Sequence, residues 1–237
     1  MVICCEGRSW RREIYPQYKH KRRSGRDDSS LDWEELFRCI NVIIDEIREN
    51  LPWKVIRAER GEADDIIGAL AYETQEFGKH EPVMIISNDK DFMQLQKFDN
   101  VKQFSPMKKK LLTEKNPRSM LMEHIFKGDS SDGVPNILSG DDTFVDGSRQ
   151  TPVTKKKMEA WLAADNIEDV LSTDAYRNFC RNKKMIDLSE IPKDIYDDIV
   201  DQYENNKVAP KMKVLNYLIK KRMNRLIECA EEFYPHA

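Results

Sequence analysis

Acidic residues are concentrated in two short clusters, at positions 61–65 and 87–92. The first reads Gly-Glu-Ala-Asp-Asp and the second Ser-Asn-Asp-Lys-Asp-Phe. The side chains of interest are Glu62, Asp64, Asp89 and Asp91. If the chain brings these carboxylates together, two like charges about 4 Å apart repel by roughly 4 kcal/mol at an effective dielectric near 20, and a cation between them removes that cost. Oxygen ligands without His or Cys select magnesium or manganese over zinc. The sequence therefore predicts a site for Mg²⁺, for which Mn²⁺ can substitute, and a pair of such ions is able to polarise a phosphate.

The elements that must position these side chains are a helix and a strand. From Asp65 to Phe77, apolar residues recur at three- and four-residue spacing, which predicts a helix that ends at Gly78. Residues 83–86 form a short apolar run, which predicts a strand buried on both faces. Asp89 follows the carboxyl end of that strand, where sites form in open parallel sheets.

Each acidic cluster also has a simpler interpretation. Acidic residues at 62–65 favour the dipole at a helix N-terminus, and Asp89 is able to cap a turn. Their joint occurrence at the ends of successive elements favours the metal site over these interpretations.

The remaining sequence predicts an α/β fold with a parallel sheet, because strands and helices alternate along it. Strands are expected at 1–5, 53–56 and 101–104, and an amphipathic helix at 31–50. The apolar stripe of that helix consists of Leu36, Phe37, Ile40, Ile43, Ile44 and Ile47. We expect the α/β core to occupy residues 1–115. Residues 116–237 are expected to be mostly helical, with breaks at Pro192 and Pro210.

Composition limits the class and location of the protein. The chain has 237 residues and a net charge of −3, with no apolar run of about 18 residues and no signal-peptide pattern, so we expect no membrane association. The five cysteines lack C-x-x-C spacing, and the histidines at positions 20, 80, 124 and 236 show no metal-ligand spacing. These features predict a cytoplasmic protein without zinc or disulfides.

Residues 8–26 are strongly basic, with aromatic residues interleaved. The candidate nucleic-acid contacts are Arg8, Arg11, Arg12, Tyr18, Lys19, Arg22 and Arg23. Basic side chains neutralise phosphates, and aromatic rings stack on unpaired bases. A solvated basic face is the simpler interpretation. The aromatic residues, and the carboxylate of Glu6 just before the segment, favour binding.

A third acidic segment, residues 127–138, holds Asp129 and Asp132 in a turn that contains Gly128 and Gly133. Backbone N–H groups exposed in such a turn suit a DNA phosphate. Taken alone, the segment is an ordinary Asx-rich loop.

Together, the three acidic blocks resemble the signature blocks of the flap endonuclease, or 5′-nuclease, family, and residues 9–13 and 97–110 resemble its bacteriophage ribonuclease H branch. The resemblance covers nearly the whole chain. It implies a PIN-like core with a basic helical arch at about 8–35, followed by a DNA-binding helix–three-turn–helix. It also implies a magnesium-dependent, two-metal 5′→3′ nuclease that hydrolyses RNA–DNA hybrid, nicked or flapped duplex during lagging-strand primer removal.

The resemblance further implies a role for each site residue. The implied metal ligands are Glu6, Glu62, Asp64, Asp89, Asp91, Asp129 and Asp132. Lys19 and Arg22 are expected to hold the scissile phosphate and, with Asp89 and Asp91, to form the catalytic set. Gly128 and Gly133 are expected to contact the duplex. A single-stranded-DNA-binding protein and a sliding clamp are the implied partners of a monomer in the host-cell cytoplasm.

The sequence departs from the family pattern at three places. The family's N-terminal block, which supplies a central strand and a further Asp, has no counterpart. Glu6 is one methylene longer than the Asp expected there, and a displacement of about 1 Å can cost on the order of 100-fold in rate. The loop after Leu138 lacks a Gly-rich hairpin. Two alternatives therefore remain: a weakly active or inactive DNA-binding chain that needs a separate N-terminal piece, and a PIN-class endoribonuclease.

Overall fold

Two small β-sheets organise the N-terminal half of the protein, which is described by a computed structural model over residues 1–76 and 79–234. In the first sheet, β1 (Val2–Cys4) pairs in parallel with β2 (Lys54–Ile56), with Ile3 opposite Val55. In the second, β3 (Val83–Ile86) runs parallel to β4 (Val101–Ser105), which pairs antiparallel with β5 (Lys110–Leu112). Among the described residues, β1 and β3 each pair on one edge alone.

Helices connect and cover these sheets. They are α1 (Arg11–Ile14), α2 (His20–Asp27), α3 (Trp33–Asn50), α4 (Ala63–Glu73), α5 (Pro117–Lys127), α6 (Lys155–Leu162), α7 (Thr173–Ile186), α8 (Lys193–Asn205), α9 (Lys211–Lys220) and α10 (Asn224–Ile227). Short 3₁₀ segments cover Asp91–Lys97, Leu188–Glu190 and Ala230–Phe233. None of the helices in the described ranges is both long and apolar enough to cross a membrane.

Helix α4 joins the two sheets. Ile66 and Ala69 pack with Ile56 of β2 in one apolar cluster, while Ala71 packs with Ile85 of β3 in another. Burial of such side chains contributes about 25 cal/mol per Å² of apolar surface. Helix α4 is therefore packed against both sheets.

The C-terminal half has its own core. Phe126 of α5 packs against Trp161 of α6 and Phe179 of α7, with ring centroids 5.2 and 5.6 Å apart. Tyr15 also joins this cluster, so the chain after α1 is tied to the helical half.

The predicted fold class is confirmed, and each predicted strand and the helix at 31–50 are present with slightly different ends. Pro192 and Pro210 immediately precede α8 and α9, as expected of breaks. Helix α4 ends at Glu73, earlier than the predicted end at Gly78, which itself lies outside the described residues.

One burial prediction was wrong. Strand β3 is not buried on both faces, because Met84 is 50% and Ile86 62% exposed beside its unpaired edge. The apolar stripe of α3 is also largely exposed, with Phe37 at 41% and Ile43 at 55%.

Candidate active site

An acidic cleft of about 1240 Å³ lies where the two sheets meet α4 and α5. Six of the seven predicted metal ligands line it: Glu6, Asp64, Asp89, Asp91, Asp129 and Asp132. They come from four places in the fold. Glu6 follows β1, Asp64 lies in the first turn of α4, Asp89 and Asp91 follow β3, and the last two follow α5. The carboxyl ends of β1 and β3 therefore point to the same cleft, as the sequence predicted.

Local hydrogen bonds explain how the backbone presents these groups. At the start of α4, the Glu62 N–H donates to Asp65 Oδ2 at 2.8 Å in a capping box, which sets the first helical turn that carries Asp64. After β3, the Asp91 N–H donates to Asp89 Oδ1 at 3.0 Å, and Gln103 Nε2 donates to the Asp89 carbonyl. The two aspartates are thus fixed in one tight turn.

The turn after α5 depends on a glycine. Gly128 has φ 66° and ψ −176°, a conformation that is essentially restricted to glycine. It lets the chain reverse, so that the Val134 N–H donates to the Asp129 carbonyl at 2.7 Å. The Ser131 N–H and hydroxyl both donate to Asp129 Oδ1. This turn aims Asp129 and Asp132 at the cleft.

Mutual repulsion and burial alter the acidity of the cleft. Burial, followed by the charges of Asp89 and Glu6, raises the pKa of Asp64 to about 7. Burial, followed by the charges of Asp89 and Asp129, likewise raises the pKa of Asp91 to about 7. A divalent cation relieves this crowding of carboxylates. The donor set consists mainly of carboxylate oxygens and therefore fits a hard divalent ion such as Mg²⁺ or Mn²⁺.

Glu62, the seventh predicted ligand, lies behind the cleft and is 4% exposed. Its Oε2 accepts hydrogen bonds from Ser9, Arg11 and Tyr18 at 2.8 to 3.1 Å, and its Oε1 contacts the ammonium of Lys19. Burial alone would raise the pKa of Glu62, but the charges of Lys19 and Arg11 outweigh it and lower that pKa. Glu62 is therefore an ionised carboxylate whose oxygens are already occupied by donors of the chain.

Lys19 and Arg22 stand on the wall of the cleft. The Lys19 ammonium lies 3.7 Å from Asp132 Oδ2, and an Arg22 guanidinium nitrogen lies 2.6 Å from Asp132 Oδ1. The Lys19 backbone N–H also donates to the Asp132 carbonyl at 2.7 Å. The base of the basic segment is therefore attached to the acidic turn.

Two of the residues predicted to contact nucleic acid, Arg11 and Tyr18, are buried. Arg11 is 2% exposed and forms ion pairs with Glu62 and Asp65 at 2.9 and 2.8 Å. Tyr18 is 3% exposed, and its hydroxyl donates to Asp132 Oδ2 at 2.9 Å, so its ring is not available for stacking on a base. Both side chains turn inward because the acidic residues that they neutralise lie there. Arg8, Arg12 and Arg22 are exposed, while Arg23 is half-buried and Gly133 buried.

Sequence reasoning missed His124, which lies in α5 and lines the cleft. Its Nδ1 is 3.5 Å from Asp91 Oδ1 and its Nε2 is 3.8 Å from Asp129 Oδ2. The available signal was its position on a predicted helix, just over one turn before the acidic loop. That position indicates a site residue only once it is known that α5 lies beside the end of β3.

Comparison with known families agrees with this geometry. Residues 1–123 match the 5′-3′ exonuclease N-terminal resolvase-like domain, and residues 108–233 match the T4 RNase H C-terminal domain. The ribonuclease H of Enterobacteria phage T4 is 34% identical over 243 residues, which cover 98% of this chain and 79% of the phage protein. The chain belongs to the 5′-3′ exonuclease family. It is a nuclease that hydrolyses phosphodiester bonds.

More distant relatives share parts of this nuclease. The 5′-3′ exonuclease of Buchnera aphidicola subsp. Schizaphis graminum is 30% identical over 138 residues, which cover 55% of this chain and 44% of the bacterial protein. Among solved structures, the T5 D15 protein co-crystallised with metal ions superposes with a TM-score of 0.59 at 19% identity, covering 84% of this chain and 82% of that one. A variant of the bacteriophage T5 D15 flap endonuclease, in a pseudo-enzyme–product complex with DNA and metal ions, superposes with a TM-score of 0.55 at 19% identity. It covers 84% of this chain and 80% of that one. These likenesses show the resolvase-like fold.

Proposed function

We propose that this nuclease is a magnesium-dependent 5′→3′ enzyme that cuts RNA–DNA hybrid, nicked or flapped duplex, and that it removes primers from lagging-strand fragments during phage replication. The observation that carries the proposal is the convergence of six carboxylates in one cleft that Lys19 and Arg22 also line. The relatives named ribonuclease H and flap endonuclease support the choice of substrate.

The carboxylates divide into two sets around Asp89. Asp64 and Glu6, with Glu62 behind them, would hold one ion on the side of α4. Asp91, with Asp129 and Asp132, would hold the other on the side of α5. Bound divalent ions supply the Lewis acidity that generates a nucleophile from water at neutral pH and stabilises the leaving oxygen.

The chain's own residues position the substrate. Arg22 and Lys19 would bind the scissile phosphate, since positive charge fixed in a partly desolvated site stabilises a developing phosphoryl charge. Lys19 pairs with Glu62 and Asp132. A phosphate bound by Lys19 would replace this pairing, and Glu62 would then be able to hold an ion.

The decisive test is cleavage of a 5′-flapped duplex in Mg²⁺ by the wild-type chain and by Asp89→Asn. We expect Asp89→Asn to lose at least about 100-fold in rate, because it removes the charge shared by both sets. Asp99→Asn, an exposed aspartate outside the cleft, is the matched control and should cleave normally. Equal cleavage by Asp89→Asn and the wild type would rule out the proposal. Replacing Mg²⁺ by Mn²⁺ should preserve cleavage, and EDTA should abolish it.

Substrate choice is tested in the same assay. RNA–DNA hybrid, nicked duplex, flapped duplex and unstructured RNA should be offered at equal concentration. A preference for unstructured RNA would instead support an endoribonuclease of the PIN class. A single-stranded-DNA-binding protein, a sliding clamp and a monomeric state in the host-cell cytoplasm belong to the same proposal and rest on the resemblance.

A second candidate function is suggested by the gap between the two sheets. An apolar groove of about 720 Å³ lies between β1 and β3, with Ile67 and Leu70 of α4 at its base and Met84 and Ile86 on its wall. Unpaired strand edges invite an added strand. In this view the chain binds flapped duplex but cleaves weakly until a separate polypeptide supplies a parallel strand there. Such a strand would end at the same cleft, since β1 and β3 do.

This second candidate is separated from the first by measuring binding and cleavage together. Tight binding of flapped duplex in Ca²⁺ without cleavage in Mg²⁺ favours it. Recovery of cleavage on adding an apolar strand segment that ends in an Asp would establish it. Full cleavage by the chain alone would exclude it.

A further inference from the structure

We propose that His124 is a metal ligand together with Asp91 and Asp129, and that this mixed site binds a first-row transition-metal ion in preference to Mg²⁺. The inference deepens the proposed metal-dependent nuclease and rests on it in one respect only: that the acidic cleft binds divalent ions. It concerns which ion the α5 side of the cleft selects.

The positions of the three side chains fit one ion. One ligand atom from each of Asp91, His124 and Asp129 lies within 4.8 Å of the other two. Metal–ligand distances of about 2.1 Å allow two ligands of one ion to be up to about 4.2 Å apart. Shifts of less than about 1 Å therefore bring all three atoms into one coordination sphere.

The imidazole of His124 lies between two carboxylates without a close hydrogen bond to either. Its nitrogens approach Asp91 and Asp129 at 3.5 and 3.8 Å, too far for good hydrogen bonds. Within the part of the chain that the structure describes, neither nitrogen makes a hydrogen bond. A histidine with a purely structural role in an acidic cleft would be expected to form a hydrogen bond with one carboxylate. His124 instead lies between two.

The backbone on both sides of this site is held by packing and hydrogen bonds. His124 precedes Ile125 and Phe126, which are fully buried in the helical core, and Asn182 of α7 donates a hydrogen bond to the Ile125 carbonyl at 2.8 Å. Asp91 precedes the buried Phe92, and the turn that carries it is fixed by hydrogen bonds. Ligands on fixed elements lose little conformational freedom on binding an ion, so the geometry is suited to selection.

The donor set decides which ion is preferred. Carboxylate oxygens suit Mg²⁺, Ca²⁺ and Mn²⁺, but an imidazole nitrogen favours the later and softer divalent ions over Mg²⁺. One nitrogen with two carboxylates should therefore raise affinity for Mn²⁺, and more so for Co²⁺, while it leaves affinity for Mg²⁺ and Ca²⁺ nearly unchanged.

The direct test is pulsed electron paramagnetic resonance on Mn²⁺ bound to the full chain without nucleic acid. Coordination by His124 predicts a ¹⁴N coupling in the electron-spin-echo modulation of the wild-type protein. His124→Asn should lose that coupling and bind Mn²⁺ at least about 10-fold more weakly, with Ca²⁺ affinity changed by less than about 3-fold. His80→Asn, an exposed histidine outside the cleft, is the matched control and should keep the coupling.

Three outcomes would overturn the inference: no ¹⁴N coupling in the wild type, coupling that persists in His124→Asn, or equal loss of Mn²⁺ and Ca²⁺ affinity. His124→Gln separates ligation from simple positioning of the aspartates, because an amide can donate a hydrogen bond to a carboxylate but offers no imidazole nitrogen to an ion. If His124→Gln binds Mn²⁺ as tightly as the wild type, the histidine only positions Asp91 and Asp129 and the inference fails. The ¹⁴N coupling is measured on the wild-type protein, so the inference remains testable even if a variant misfolds.

The result is independent of the cleavage assay. A ¹⁴N coupling in a chain that does not cleave flapped duplex would support the His124 site and contradict the proposed function. Cleavage that depends on Asp89 without any ¹⁴N coupling would support the function and remove His124 from the metal site.

Discussion

Arg11 and Asp65 form a buried, bidentate ion pair, with Nη2 to Oδ1 at 2.8 Å and Nη1 to Oδ2 at 3.0 Å. Burial lowers the pKa of Arg11, but the charge of Asp65 outweighs it, and the net direction is upward. The guanidinium also donates to Glu62 and, through Nε, to the Met185 carbonyl of α7 at 2.8 Å. One side chain thus joins the segment after β1, the first turn of α4 and the helical half.

Replacing Arg11 should therefore destabilise the whole fold. Arg11→Ala leaves Asp65 buried without its ion-pair partner, while Glu62 keeps Lys19, and breaking a buried pair costs about 3–5 kcal/mol of unfolding free energy. Arg11→Lys keeps the charge but loses the two-point contact of the guanidinium with Asp65, so we expect an intermediate loss of stability. Urea unfolding provides the measurement. Arg12→Ala, at an exposed neighbour, should change stability by less than about 0.5 kcal/mol, and a similar loss in both variants would contradict the assignment.

Asp64 should make the metal-free protein less stable as the pH rises. Its pKa is raised from 3.8 to about 7 in the folded state, so the folded protein holds this proton more tightly than the unfolded chain does. The resulting stability is fully present below the unfolded pKa near 4 and is lost as pH rises through 7. In EDTA at pH 8, the free energy of unfolding of Asp64→Asn should exceed that of the wild type by roughly 1–3 kcal/mol. Near pH 4 the two values should match.

The control for this prediction is Asp99→Asn, which should show no such pH-dependent gain. Saturating Mg²⁺ should make the wild type more stable than Asp64→Asn at pH 8, because ions that bind the folded wild type stabilise it by mass action. Calorimetric melting of both proteins from pH 4 to 8 gives the comparison. A constant difference across this range would show that Asp64 is not strained by its neighbours.

The sequence predicted the acidic centre well because strand ends and helix starts are local features. The spacing of the adjoining apolar residues predicts the strand before Asp89 and the helix that carries Asp64. That local pattern is enough to place both side chains at one edge of the sheet. Arg11 could not be assigned in this way. Its partner Asp65 is 54 residues away, and a basic segment does not reveal which of its members face inward. His124 was missed for the same reason, since its neighbours Asp91 and Asp129 come together only through packing of α5.

Burial was predicted less well than element type. The run at 83–86 is apolar enough to be buried on both faces, but burial depends on a neighbouring strand that the run itself does not encode. Helix α3 shows the same limit. Its stripe has the correct period, yet Phe37 and Ile43 remain exposed because the described elements cover little of that face.

Gly128 should be intolerant of any side chain. A Cβ at this position would lie 2.4 Å from the Val134 carbonyl oxygen, and the backbone angles are unsuited to other residues. We expect Gly128→Ala to lose on the order of 1–3 kcal/mol and to weaken Mn²⁺ binding by displacing Asp129. Gly140→Ala is the control, because nothing lies within 4 Å of its added Cβ. Equal stability of both variants would mean that the turn adapts to a side chain.

Arg22 should contribute to nucleic-acid affinity without contributing to stability. Its side chain is half exposed, and an ion pair of this kind, with Asp132, is worth about 0–1 kcal/mol. If Arg22 instead neutralises one phosphate in the complex, Arg22→Ala should reduce the slope of log affinity against log salt by about 0.9. Fluorescence anisotropy of a flapped duplex in Ca²⁺, from about 50 to 200 mM KCl, measures that slope. Lys193→Ala, which removes an exposed charge of α8 paired with Asp197, should leave it unchanged. An unchanged slope in Arg22→Ala, or an equal fall in Lys193→Ala, would place the phosphate elsewhere than beside Arg22.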